Sequence, residues 1–65
     1  MKIKVNGEDR DVSEDADVLA VIAQFKVSPD KVAVELNRRL LRSGKYDTKL
    51  KSGDEVEIVT FVGGG

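Results

Sequence analysis

The chain has 65 residues, 40% of them hydrophobic, with a formal net charge of −1, no cysteine and no histidine. That length allows one small domain with a thin core, since such a domain buries only about 60% of the surface its unfolded chain exposes. The missing cysteine excludes disulfides, thiolate nucleophiles and sulfur-ligated metals, and the missing histidine removes the commonest general base and metal ligand. A near-neutral balance gives no global field for nucleic acid or an anionic membrane. The longest apolar stretch, Val18–Ala23, is far short of the roughly 20 residues that span a bilayer. No apolar signal-peptide segment opens the chain, so a cytoplasmic protein is expected.

Met1, Ile3 and Val5 alternate with Lys2 and Lys4, the period of a half-buried strand. Asn6-Gly7 supplies the positive backbone angles of a type I′ turn, and a polar edge strand follows from about Glu8 to Val12. Asp17 is placed to cap a helix whose apolar stripe is Val18, Val21, Ile22 and Phe25, widened by Leu19. The helix must end before Ser28-Pro29, because proline disfavours helical geometry in the residue preceding it. With two to three turns it needs a sheet to pack on.

Val32, Val34 and Leu36 mark a third strand. A tight turn near Asn37-Arg38 leads to a short fourth strand over Arg39–Arg42, which Ser43-Gly44 breaks. Tyr46–Leu50 reads as irregular or as one helical turn, and Ser52-Gly53-Asp54 as another turn. Glu55–Val62 is apolar on both faces, as an interior strand would be. Strand, strand, helix, strand, strand, strand is the α+β order of a β-grasp (ubiquitin-like) fold. It predicts a mixed sheet of about five strands with one main helix on one face and the last strand parallel to the first. The domain is expected over residues 1–62, with a flexible glycine tail at 63–65.

Gly63-Gly64-Gly65 carries the chemistry. Glycine loses more conformational freedom on ordering than any other residue, so this tail forfeits binding affinity. In return, a thread without Cβ atoms can enter a channel closed to side chains and present a bare carboxylate. Attack of the Gly65 carboxylate on the α-phosphate of ATP would expel pyrophosphate and form an acyl-adenylate. A sulfur nucleophile could then displace AMP. The chain has no P-loop, so a separate enzyme must bind the ATP. A flexible terminus or truncated linker is the plainer explanation, although the tail follows an apolar strand without a polar spacer.

Val5-Asn6-Gly7-Glu8, Asp17–Ile22, Val32–Asn37, Leu41-Arg42-Ser43, Leu50–Val59 and the ending Phe61-Val62-Gly63-Gly64-Gly65 together resemble the ThiS family of sulfur carriers of thiamine (thiazole) biosynthesis. The chain departs from the pattern at Leu41, where members often carry proline, and near Arg38, where they often carry glycine. The resemblance implies a carrier, not an enzyme, with no bound cofactor. A ThiF-like adenylating enzyme using ATP, a cysteine desulfurase relay and the thiazole synthase ThiG would be its partners. It implies that Gly65 is converted to a thiocarboxylate, with Gly63 and Gly64 threading into the partner's site. MoaD, the molybdopterin sulfur carrier, shares the fold and a Gly-Gly ending.

Val59 and Phe61, with Leu41, are candidates for an exposed apolar patch on which the activating enzyme docks, against ordinary core packing. The basic stretch Arg38–Lys51 allows a different class, a small RNA-binding module, but only Tyr46 there could stack on a base. No nucleic acid or membrane partner is therefore expected. The acidic run Glu8–Asp17 lacks the glycine turn of a calcium loop, so no metal site is expected.

Overall fold

The computed structural model describes residues 1–61. The expected tail at Gly63, Gly64 and Gly65 lies outside them. Strand β1 (Lys2–Val5) and strand β2 (Glu8–Asp11) form an antiparallel hairpin. Its turn places Asn6 at φ 51 and Gly7 at φ 83, the left-handed pair that a type I′ turn needs. Beyond β2, the Val12 N–H still reaches the Met1 carbonyl at 2.9 Å.

Helix α1 (Val18–Gln24) starts on Asp17, whose Oδ1 accepts from the Ala20 N–H at 2.9 Å. Two further first-turn amides have carbonyl partners across the fold: Val18 N–H donates to Thr48 and Leu19 N–H to Tyr46. Val18, Val21 and Ile22 are fully buried and Phe25 is half-buried. Leu19 does not widen this stripe; it is 40% exposed, on the side facing the 43–48 segment. Lys26, at φ 58, turns the chain away into a short 3₁₀ turn at Pro29–Lys31.

Strand β3 (Val32–Leu36) and strand β4 (Arg39–Leu41) are joined by Asn37 and Arg38, both in the left-handed region. A second 3₁₀ turn covers Ser43–Lys45. Strand β5 (Glu55–Thr60) then runs through the middle of a sheet ordered β2-β1-β5-β3-β4, parallel to β1 and antiparallel to β3. This is the expected β-grasp arrangement.

One face of the sheet packs on α1. Ile3 and Val5 from β1, Val34 from β3, and Val56 and Ile58 from β5 meet Val18, Val21 and Ile22. Tyr46 and Leu50 close the open end, each about 5% exposed or less. Full burial of each aliphatic side chain is worth about 1.5–3 kcal/mol, which makes this small cluster the main source of stability.

Candidate functional site

The strand that leads to the glycine tail is the most heavily secured in the sheet. β3 flanks β5 over five residue pairs, and the Phe61 N–H extends that ladder to the Lys31 carbonyl at 2.7 Å. On the other side, the parallel register with β1 covers only Lys4–Glu55 and Val5–Val56. Asn6 then takes over. Its backbone N–H donates to the Val56 carbonyl at 2.8 Å, its Oδ1 accepts from the Ile58 N–H at 2.7 Å, and its Nδ2 donates to the Ile58 carbonyl at 3.3 Å.

A second asparagine grips the start of β5. The Asn37 N–H donates to the Glu55 carbonyl, its Oδ1 accepts from the Glu55 N–H at 2.9 Å, and its Nδ2 donates to Asp54 Oδ1 at 3.1 Å. Both asparagines stand in left-handed backbone, at φ 51 and φ 53. That conformation suits asparagine better than most residues and leaves its carboxamide free to bond.

Val59 and Phe61 lie on the sheet face away from α1, 57% and 59% exposed. Leu41 does not join them. It pairs with the buried Val34, so it shares the core face and packs, half-buried, against the hydrophobic cluster. Its neighbour Leu40 pairs with Glu35 on the outer face and is 72% exposed. The outer apolar surface therefore comprises Leu40, Ala33, Val59 and Phe61, with Ala33 directly opposite Val59. Two adjacent leucines made the choice between them depend on register, and only the pairing partner of each could have settled it.

Charge on this face is unevenly matched. Lys2 pairs with Asp11 at 3.8 Å, Lys4 with Asp9 at 3.0 Å and Arg38 with Glu55 at 4.0 Å. Glu35 and Glu57, directly opposite each other beside the apolar surface, have no ion-pair partner among the described residues. The hydrogen bond and charge of Lys4 hold the Asp9 carboxyl below its ordinary value of 3.8.

Tyr46 is unavailable for stacking on a base. It is 5% exposed, and its hydroxyl donates to the Val32 carbonyl at 3.3 Å. In the acidic run, Asp17 caps α1 and Asp15 accepts from the Ser13 hydroxyl at 2.9 Å. No group of three or more potential metal-ligating side chains occurs among the described residues. Nor is any helix among them long and apolar enough to cross a membrane.

Known proteins resemble this chain in sequence and in overall fold. The crystal structure of the thiamine biosynthesis protein ThiS from Geobacter metallireducens is 36% identical, with full coverage of both chains and a TM-score of 0.78. A solution structure of a thiamine biosynthesis protein from the same organism is also 36% identical. It covers all of this chain and 88% of that one, with a TM-score of 0.79. The thiazole synthase of Paramagnetospirillum magneticum is 39% identical over 66 residues, and that of Magnetococcus marinus 35%. All of this chain is matched in each case, yet it spans only 20% of the length of either synthase. The ThiS family model matches residues 3–65, so the chain belongs to the ThiS family.

Proposed function

We propose that this protein is a sulfur carrier whose folded body presents the Gly65 carboxylate to partner enzymes. The observation that carries the reading is the exposed apolar surface of Leu40, Val59 and Phe61 on and beside the strand that runs into Gly63-Gly64-Gly65. A surface of this kind can hold an enzyme while the glycine thread enters its active site. Family membership and the likeness to thiamine biosynthesis proteins support the same reading.

In this scheme a ThiF-like enzyme binds ATP beside the glycine thread. The Gly65 carboxylate attacks the α-phosphate and pyrophosphate leaves. A persulfide from a cysteine desulfurase relay then displaces AMP to give an acyl disulfide, and a second thiol reduces it, leaving Gly65 as a thiocarboxylate and the relay as a disulfide. The chain is the substrate in each step and catalyses none. The sulfur acceptor is the thiazole synthase ThiG. That assignment rests on the two thiazole synthases that contain a stretch similar to this chain.

ATP–pyrophosphate exchange by a ThiF-like enzyme tests the first step. Exchange should depend on the carrier and vanish when Gly64 and Gly65 are removed. Exchange that persists undiminished with the shortened chain would refute the scheme. The RNA-binding alternative is disfavoured by the burial of Tyr46. It would instead show salt-sensitive RNA affinity unaffected by that truncation.

A further inference from the structure

We infer that Asn6 is a positioning residue for the activation of this carrier, an assignment that rests on the function proposed above. β1 stops at Val5, but β5 continues for four residues past Val56, the last residue that β1 pairs. Without a neighbour there, the β5 edge would carry an unpaired amide and carbonyl at Ile58. The Asn6 carboxamide satisfies both, acting as one more residue of β1. This grip lies one residue before Val59 and three before Phe61, the exposed side chains of the docking surface.

A strand's side chains alternate between faces, so a slip or twist at Ile58 displaces Val59 and Phe61 relative to Leu40. Holding Ile58 from both flanks keeps β5 in the pleat that aims these two side chains outward together. Asn37 provides an internal comparison. Its Oδ1 accepts from the Glu55 N–H, at the far end of β5 from the docking surface, while its Nδ2 donates to the Asp54 carboxylate and not to the strand. Loss of the Asn37 carboxamide removes one hydrogen bond from β5, and loss of the Asn6 carboxamide removes two. Only the second of these losses releases the segment that meets the partner.

The test compares Asn6→Gly with Asn37→Gly, because glycine accepts both left-handed angles without strain and deletes only the carboxamide. Asn6→Asp keeps the acceptor for the Ile58 N–H and removes the donor to its carbonyl. Each variant is assayed in carrier-dependent ATP–pyrophosphate exchange with a ThiF-like enzyme. The temperature is one at which circular dichroism shows wild type and variants equally folded, and hydrogen exchange of the Ile58 amide is followed in parallel. Asn6→Gly should speed Ile58 exchange and raise the KM for the carrier about fivefold or more, the scale of losing one or two hydrogen bonds, with kcat little changed. Asn6→Asp should fall between wild type and Asn6→Gly, and Asn37→Gly should leave KM unmoved. An unchanged KM in Asn6→Gly, or an equal rise in Asn37→Gly, would reduce Asn6 to a structural role. Failure of the wild-type protein to support exchange would instead overturn the carrier reading, and the assignment with it.

Discussion

Glu35 and Glu57 stand directly opposite each other on β3 and β5, on the solvent face of the sheet, and no described cation neutralises either. Like charges in this arrangement destabilise a sheet. Glu57→Lys should therefore stabilise the fold by about 0.2–1 kcal/mol, read as a higher urea midpoint at unchanged slope. Because salt screens exposed charges, the gain should shrink in strong salt. A midpoint that fell would mean that the repulsion is relieved in some other way.

Leu40 and Leu41 are adjacent but face opposite ways, so their substitutions should fail differently. Leu41→Ala removes a side chain that packs on the core and should cost about 2 kcal/mol, the low end for buried leucines because the site is half-exposed. Leu40→Asp should leave the urea midpoint close to wild type and impair adenylation by a ThiF-like enzyme. Phe61→Asp should do the same, with its circular dichroism spectrum intact. Unfolding of the Phe61 variant would instead place that ring in the core.

Arg38 sits at φ 70, where an L-residue is disfavoured by about 1–2 kcal/mol. Glycine removes that strain but adds about 0.5–1 kcal/mol of backbone entropy cost. Arg38→Gly should therefore gain about 0.5–1 kcal/mol, less whatever the 4.0 Å contact with Glu55 contributes. A thermal melt measures this directly, and a lowered melting temperature would show that the ion pair outweighs the strain.

Three exposed aspartates have carboxyls held below their ordinary value and contribute to the acid response. Hydrogen bonds from Lys4 to Asp9, from Ser13 to Asp15 and from Ser28 to Asp30 are the leading causes that hold these carboxyls below 3.8. A carboxyl depressed in the folded state contributes stability above its unfolded pKa and loses it as the pH falls through the folded value. Their contribution should therefore be complete at neutral pH, begin to fall near about pH 4, and be lost only below the folded midpoints. Carbon-detected NMR titration should place all three midpoints below 3.8. Midpoints at or above it would show that these hydrogen bonds do not persist in solution.

Local signals were the legible ones. Asn6-Gly7 and Asn37-Arg38 announced turns because few residues tolerate left-handed angles, and Asp17 announced a helix start because it can accept a first-turn amide. The alternation of Val32, Val34 and Leu36, and the two-sided apolar run of β5, located the centre of the sheet. What stayed hidden depended on distant partners. The Asn6 carboxamide bonds a residue 52 positions away, which no local pattern encodes. Leu40 and Leu41 differ only by register across Glu35 and Val34. Tyr46 looked available on a basic stretch, yet its ring closes the end of the core beneath β3.

If reactivity resides at Gly65 and the folded domain serves to deliver it, the transferred sulfur must be found on that residue. Intact-mass analysis after incubation with ATP, a ThiF-like enzyme, a cysteine desulfurase sulfur source and a thiol reductant reads the chemistry at that end of the chain. A thiocarboxylate at Gly65 predicts a gain equal to the replacement of one oxygen by sulfur, located there by fragmentation and absent without ATP. A carrier whose mass does not change under these conditions, or one that gains sulfur elsewhere in the chain, would contradict it.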